Sequence, residues 1–363
     1  MTRATRAVID LAALQHNLQV SRHAAPNSKQ MAIIKAHAYG HGMVRIAQAL
    51  DDADAFGVAL IEEAIPLREA GVSKPILLLE GFTSEQDLTL IRGYNLDCVV
   101  HHESQLRMLE AASGDPVTVW MKIDTGMHRL GFKPEQANEV YQRLQQCALV
   151  KPTIHLMTHL ANADDLDDSL TEQQIKRFYE AIQFADAEDS NIPCSIANSA
   201  GVLGWPASHA DWVRPGIMLY GVSPFIAGKG KEHDLKPVMT LQSELIAVNQ
   251  FKEGDKVGYG GSWTCPDDMP VGVVAIGYGD GYPRHARPGT PVLVNGQRVQ
   301  LLGRVSMDMI TVDLREQANA AVGDEVTLWG EGLAVEEVAD YASTIAYELL
   351  CSVTSRVRFD YSG

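Results

Sequence analysis

The chain contains few cysteines, and they form no recognisable pattern. Only five occur among its 363 residues, and no two are arranged as Cys-x-x-Cys. They are Cys98, Cys147, Cys194, Cys265 and Cys351. An odd number of scattered cysteines argues against a disulfide framework and against a cysteine-ligated zinc site. We therefore expect no metal and a reducing, cytoplasmic location.

Positive charge is also scarce. The formal net charge is −16, and the longest basic cluster is confined to residues 228–231. Such a chain would be repelled by nucleic-acid phosphates and by an anionic membrane surface. Long apolar runs are absent too, since residues 1–8 contain no apolar segment of a secretion signal and no later stretch could span a bilayer. We expect neither a nucleic-acid nor a membrane partner.

What the first part of the chain does contain is a repeated alternation of short apolar runs with longer amphipathic segments. This alternation is typical of βα units, with helices predicted at residues 103–113 and 171–186. Eight strands are predicted, ending near Lys35, Val58, Glu80, His101, Asp124, His159, Asn198 and Arg214. Eight such units predict a (β/α)8 barrel, whose chemistry lies at the C-terminal ends of its strands.

The pattern changes after Pro224. From residue 237 the chain consists of short strand-like runs with almost no helix before residues 335–341. Asn295-Gly296, between two apolar runs, predicts a hairpin with a type I′ turn, and residues 326–329 and 357–361 predict further strands. We therefore expect an N-terminal barrel domain at residues 1–230 and a mostly-β domain at residues 231–363.

Polar residues at the predicted strand ends are the candidates for chemistry. Lys35 follows an apolar run, and a lysine in a dry barrel mouth can become an amine nucleophile; the alternative is an ordinary solvated lysine. Strand alternation puts Lys122 on the same face as Asp124. If that face is the barrel interior, Lys122 needs a neutralising change or a charge network with Asp124 or Asp280.

Three further positions have both a functional and a structural interpretation. Arg214 ends the eighth strand, where an arginine can hold a ligand or close the barrel rim. His159 ends the sixth strand and could be a hydrogen-bonded core histidine. Tyr259 lies in a glycine-rich loop that permits close approach to a ligand, or else it is an interfacial tyrosine with its hydroxyl satisfied.

The segment from Ala32 to Gly42, AIIKAHAYGHG, resembles the cofactor-binding signature of alanine racemases. His37 departs from it, because the family has asparagine or aspartate there. The resemblance continues along the chain, at residues 121–131, His159, Asn198-Ser199, residues 213–216, 258–260 and 303–308, and Tyr347.

The resemblance implies pyridoxal 5′-phosphate (PLP) as cofactor, held as a Schiff base by Lys35. Arg214 would face the pyridine nitrogen, and a permanently protonated guanidinium can donate to that nitrogen but cannot protonate it. His159 would lie behind the ring, and Lys122 would be carbamylated and orient Arg129. The remaining cofactor contacts implied are Tyr39, Asn198, Ser199, Gly216, Ile217 and Tyr347.

The resemblance also implies interconversion of L- and D-alanine by two bases, with Lys35 acting on D-alanine and Tyr259 on L-alanine. A head-to-tail homodimer would bring Tyr259, Met307 and Asp308 to the partner's site, where Arg129 and the Met307 amide would hold the substrate carboxylate. Tyr278 and Tyr347 would narrow the entrance. The enzyme would supply D-alanine for peptidoglycan or act in alanine catabolism.

Other functions remain open at this point. Serine could also be a substrate, since packing alone discriminates by only about 1 to 3 kcal/mol. An amino-acid decarboxylase of the same fold would place an acidic residue, rather than Arg214, against the pyridine nitrogen. A PLP-storage barrel would lack the second domain, and a purely structural protein would not need this set of residues at its strand ends.

Overall fold

The structure, a computed structural model, describes residues 4–184 and 192–363. Eight parallel strands close into a barrel. They are β2 (Lys29–Ile33), β3 (Ala55–Val58), β4 (Ile76–Leu78), β5 (Asp97–Val100), β6 (Val119–Lys122), β7 (His155–Met157), β8 (Cys194–Ser195) and β9 (Trp212–Val213). Each ends at the predicted residue or within three residues of it, so the predicted barrel is confirmed.

Helices connect the barrel strands and cover their outer faces. They are Leu11–Ala24, Met43–Ala49, Ile61–Glu69, Glu85–Gly93, Glu103–Ala111, Ala137–Gln146, Leu170–Ala181 and Ser199–Gly204. The helix predicted at residues 171–186 therefore ends at Ala181, and its last two predicted residues lie outside the described part of the chain. Among the helices described, none is both long and apolar enough to cross a membrane.

The second part of the chain forms an eight-stranded sheet in the order β13-β16-β15-β14-β17-β10-β1-β18, in which β13 also pairs with β10. Its strands are β1 (Arg6–Asp10), β10 (Met239–Phe251), β13 (Met269–Val274), β14 (Pro291–Val294), β15 (Gln297–Leu302), β16 (Ile310–Asp313), β17 (Glu325–Trp329) and β18 (Arg358–Ser362). A short hairpin of β11 (Lys256–Val257) and β12 (Trp263–Thr264) and the helices Val335–Tyr341 and Ala346–Cys351 complete this part.

The hairpin predicted at Asn295-Gly296 is confirmed. Val294 pairs with Gln297, and the two turn residues have φ of 49° and 76°. Positive φ at both central residues is what a type I′ turn requires, and asparagine and glycine adopt it with little strain.

Strand β1 was not expected in this sheet. Arg6 pairs with Gln242 of β10 and with Arg358 of β18, so a strand that precedes the barrel in sequence belongs to the eight-stranded sheet. The division into residues 1–230 and 231–363 stays a prediction. The pairing of β1 ties the two parts together at the N-terminal end of the chain.

Candidate active site

Lys35 lies just beyond β2, at the C-terminal mouth of the barrel. Its side chain is half-buried. Burial, followed by the nearby Arg129 guanidinium, lowers the pKa of Lys35 below its ordinary value, whereas the carboxylates of Glu80 and Glu63 act in the opposite direction. A lysine in this environment holds its proton less tightly and is more available as an amine.

The turn after Lys35 has an unusual backbone. Ala36, His37, Ala38 and Tyr39 have φ of 51°, 55°, 56° and 50°, in the left-handed region. That region costs most L-residues about 1 to 2 kcal/mol each, but asparagine, aspartate and histidine occur in it more often than other non-glycine residues. Histidine at position 37, where the family has asparagine or aspartate, therefore keeps a residue type suited to this backbone. Its side chain is exposed.

The interior position predicted for Lys122 is consistent with its burial. Its side chain is only 7% exposed. Burial, together with the cations Arg214 and Arg129, lowers the pKa of Lys122 to about 8. Asp124 acts in the opposite direction and raises the pKa of Lys122, whereas Asp280 accepts the Gly277 amide at 2.9 Å and lies 3.4 Å from the guanidinium of Arg356.

Arg214 is buried at the end of β9 and is fixed by neighbours from two other strands. Its guanidinium donates to Ser195 Oγ at 2.5 Å, to the Thr158 carbonyl at 2.6 Å and to the Ile196 carbonyl at 3.2 Å. It also lies 3.4 Å from Nδ1 of His159. Burial and the Arg214 charge hold the pKa of His159 well below its ordinary value. The imidazole is therefore neutral, and the arginine is held in one orientation.

A second set of polar groups surrounds Ser199. The Gly216 amide donates to Ser199 Oγ at 2.8 Å, and the Met218 amide donates to the same atom at 3.4 Å. A Cβ at position 216 would come 2.8 Å from the Tyr39 hydroxyl oxygen, so glycine keeps the space between them open. The Tyr39 and Tyr347 rings lie 6.1 Å apart. Hydroxyls and amides thus converge from four segments of the chain, one of which is the turn that follows Lys35.

Two short helical elements begin next to the polar groups around Ser199. Asn198 accepts the Gly201 amide at 2.9 Å and so begins the helix Ser199–Gly204. Ile217 begins the 3-10 turn Ile217–Tyr220 immediately after Gly216. The unpaired amides at the start of a helix are natural donors to an anionic group, although these two elements are short.

Four predicted site residues lie elsewhere. Tyr259, Tyr278 and Met307 are 68%, 39% and 52% exposed in loops of the second part of the chain. Asp308 is exposed next to Met307, with its carboxylate 2.5 Å from Arg356. We call these four residues the exposed cluster. The Gly279 amide donates to the Met307 carbonyl at 2.8 Å, which joins the loops that carry Tyr278 and Met307.

Sequence reasoning missed several residues that fix the site. Ser195 and the Thr158 carbonyl hold Arg214, and Glu63 accepts the Ala36 amide at 2.7 Å. A signal for Glu63 was available, since it is the third residue of the helix Ile61–Glu69 and bonds back to the amides before that helix, as in a capping box. Nothing in the sequence indicated its second bond, to Ala36.

His41, in the same turn region, is fully buried and provides a test of stability against pH. Its Nδ1 lies 2.8 Å from the Tyr39 carbonyl, whereas no partner for Nε2 occurs in the described part of the chain. Burial lowers the pKa of His41 from 6.5 to about 4. The unfolded chain therefore binds the proton first as pH falls, and the native state loses up to about 3 kcal/mol between pH 6.5 and pH 4.

We expect His41→Asn to show a smaller fall in the free energy of unfolding between pH 7 and pH 4 than the unsubstituted protein, as measured by urea titration. His23→Asn, which removes an exposed histidine, serves as the control and should leave the fall unchanged. Equal pH dependence in all three proteins would show that His41 is not the titrating group.

The comparisons with known proteins agree in both halves of the chain. A family model described as "Alanine racemase, N-terminal domain" matches residues 9–224, and one described as "Alanine racemase, C-terminal domain" matches residues 238–361. A curated alanine racemase from Shewanella frigidimarina is 54% identical over 366 residues, covering 97% of each chain. One from Vibrio parahaemolyticus is 53% identical over 361 residues, covering 99% of each.

Solved structures give the same result. The biosynthetic alanine racemase from Pseudomonas aeruginosa superposes with a TM-score of 0.94 at 44% identity, covering all of both chains. The alanine racemase from Acinetobacter baumannii superposes with a TM-score of 0.92 at 40% identity, covering 99% of this chain and 100% of that one.

Proposed function

This chain belongs to the alanine racemase family and interconverts L- and D-alanine, and we propose that it does so with PLP held at the barrel mouth by Lys35. The decarboxylase alternative is not favoured by these relatives. The observation that carries the proposal is a cluster of side chains whose positive charges help to lower the pKa of Lys35, Lys122 and His159. The cluster consists of Lys35, Lys122, Arg129, His159 and Arg214.

The residues present fit this cofactor. Its phosphate needs hydroxyl and amide donors, which Tyr39, Ser199, Tyr347 and the amides of Gly216 and Ile217 can supply around the space that glycine leaves open at position 216. We assign the pyridine nitrogen to Arg214 and the position behind the ring to His159, which lies 3.4 Å from that guanidinium. Asn198 would fix the segment that carries Ser199.

When bound, PLP withdraws electrons from the substrate carbon that carries the amino group. Arg214 restrains this effect, because a buried guanidinium donates a hydrogen bond without transferring its proton. Its three oxygen partners keep it in place. This restraint favours proton removal and return over reactions that need a stronger electron sink.

Lys35 holds and moves the proton on one face of the substrate. Its pKa is lowered by burial and by Arg129, so its amine can accept the α-proton of D-alanine and return it. The opposite face needs a second base, and we assign that role to Tyr259 of the partner subunit. Tyr259, Tyr278 and Met307 are exposed in the second part of the chain. Their exposure supports a head-to-tail homodimer, since large exposed apolar side chains mark interaction surfaces.

The substrate carboxylate is assigned to Arg129 and to the Met307 amide of the partner, with Asp308 beside it. Tyr347 and the partner's Tyr278 narrow the entrance and favour alanine over larger amino acids. The role we assign is supply of D-alanine for peptidoglycan, rather than catabolism, because the P. aeruginosa structure is that of a biosynthetic enzyme. A cytoplasmic location is supported by the cysteines, all five of which are free.

Chiral chromatography tests the function and the substrate class together. The purified protein is incubated separately with the L- and D-enantiomers of alanine, serine and lysine. We expect inversion of alanine from both directions, slower inversion of serine and none of lysine. Release of carbon dioxide without inversion would contradict the proposal.

Carbamylation of Lys122 is a separate part of the proposal. With a pKa of about 8, about a tenth of Lys122 is the neutral amine at pH 7 and about half at pH 8. The neutral amine is the form that attacks carbon dioxide and releases a proton as the N–C bond forms. The product is an anion that can orient Arg129. The share of carbamate should rise as pH rises through about 8.

We expect one carbamate signal per chain in the ¹³C NMR spectrum of the holoenzyme equilibrated with ¹³C-bicarbonate at pH 8. The intensity of this signal should be lower at pH 6. Lys122→Arg should lack it, and Lys151→Arg, which changes an exposed lysine, should keep it. A spectrum of the unsubstituted enzyme without this signal at pH 8 would exclude the modification.

A further inference from the structure

We propose that Glu63 is a positioning residue for Lys35, because its carboxylate joins the turn that follows Lys35 to the start of the helix after β3, Ile61–Glu69. The inference rests on the role proposed above for Lys35. Glu63 Oε1 accepts the Ala36 amide at 2.7 Å, and Oε2 accepts the Ala59 amide at 2.8 Å and the Leu60 amide at 3.2 Å.

The turn needs such an anchor. Ala36 to Tyr39 are four consecutive residues with left-handed backbone, a conformation that side chains disfavour and that persists only when neighbours fix it. The Ala36 amide is the first backbone donor after Lys35. A bond at this atom therefore fixes the backbone on which the lysine side chain depends.

The far end of the turn is fixed separately by the second domain. A Cβ at Gly40 would come 2.1 Å from the Leu350 carbonyl oxygen, so the helix Ala346–Cys351 packs directly on the turn. The Tyr361 hydroxyl donates to the His41 carbonyl at 3.1 Å. Glu63 is the matching anchor at the near end, next to the reactive amine.

The next barrel unit shows which part of this bonding is ordinary helix capping. Asp87 is the third residue of the helix Glu85–Gly93, as Glu63 is of Ile61–Glu69, and its Oδ2 accepts the amides of Thr83 at 2.8 Å and Ser84 at 3.0 Å. Aspartate is therefore long enough to cap such a helix. The additional methylene of Glu63 lets the second carboxylate oxygen reach Ala36.

This comparison defines the experiment. In Glu63→Asp the helix cap is retained but the bond to Ala36 is lost, so the midpoint of thermal unfolding should stay within a few degrees. The kcat for alanine should fall about 10- to 100-fold, since displacement of a reacting group by about 1 Å costs up to about 100-fold. The KM for alanine should change less than about threefold, because the groups assigned to the substrate carboxylate are untouched.

Retention of PLP provides a readout that does not depend on turnover. During dialysis of the holoenzyme, Glu63→Asp should lose PLP several times faster than the unsubstituted protein. Glu62→Asp, an exposed carboxylate on the same helix, is the control and should match the unsubstituted protein in kcat and in PLP release. Glu63→Gln keeps the length but replaces one acceptor oxygen with a donor, and it should lower kcat as well.

Hydrogen exchange in the unsubstituted protein tests the bond without any variant. The Ala36 residue is exposed, so its amide should exchange within seconds unless Glu63 protects it. We expect slow exchange there. Fast exchange, or a Glu63→Asp enzyme with unchanged kcat and unchanged PLP retention, would overturn the inference. Failure of Lys35 to act in racemisation would instead appear as activity in Lys35→Ala, with the Ala36 amide still protected.

Discussion

Replacement of Tyr259 by phenylalanine is expected to slow racemisation of alanine in both directions by about 10²- to 10⁴-fold, the contribution of one positioned acid–base group. Exchange of the α-hydrogen of D-alanine with solvent should nevertheless continue, because Lys35 on the other face is unchanged. Proton NMR in D2O, combined with chiral chromatography, should then show D-alanine that becomes deuterated without inversion. This separation of exchange from inversion is the signature of two bases.

Tyr179→Phe provides the control, since it removes the hydroxyl of another exposed tyrosine, on an outer helix of the barrel. It should leave both reactions unchanged. If Tyr259→Phe lost exchange and inversion to the same extent, the two faces would not have separate bases. If it lost neither, Tyr259 would have no part in the chemistry.

Replacement of Lys35 by alanine is expected to lower racemisation by at least about 10⁴-fold, since one residue supplies both the covalent hold on the cofactor and a base. The groups around Ser199 and Gly216 can still bind the phosphate, so the protein should take up PLP and then lose it on dialysis. Loss of yellow colour and chiral assays measure the two effects.

Lys231→Ala, which removes an exposed lysine from the turn before β10, should keep both the colour and the activity. The Lys35→Ala protein should have the circular dichroism spectrum of the folded enzyme, because a half-buried lysine contributes little to the core. Racemisation by the Lys35→Ala protein at the normal rate would contradict the role assigned to Lys35.

The barrel could be predicted because its signals are local. Seven of the eight predicted strands are short apolar runs that end in a polar residue, and the observed strands end within three residues of the predicted positions. The Asn295-Gly296 turn is likewise determined by the backbone preferences of two adjacent residues. Family resemblance added the identity of the chemistry, which composition and periodicity alone could not supply.

Features that depend on long-range contacts could not be predicted. The pairing of Arg6 with Gln242 and Arg358 joins segments more than two hundred residues apart. Nothing in the sequence of a five-residue strand indicates which strands it will pair with. The bond from Glu63 to Ala36 crosses between barrel units in the same way. The left-handed turn at Ala36 to Tyr39 contradicts local preference, because neighbouring elements fix it.

The role proposed for the exposed cluster requires a second copy of the chain. Tyr259 is 68% exposed in one chain, and the role proposed for it is to lie opposite Lys35 in the site of a head-to-tail partner. The two inactive variants described above allow this arrangement to be tested. Each lacks one residue of the pair and keeps the other.

The measurement is to mix Lys35→Ala and Tyr259→Phe proteins in equal amounts, exchange their subunits through mild dissociation, and assay racemisation. In a head-to-tail dimer, each mixed dimer has one intact site, made of Lys35 from one chain and Tyr259 from the other. Random exchange should therefore restore about a quarter of the activity of the unsubstituted enzyme. No recovery, despite mixed dimers detected by native mass spectrometry, would show that Lys35 and Tyr259 do not act together across subunits.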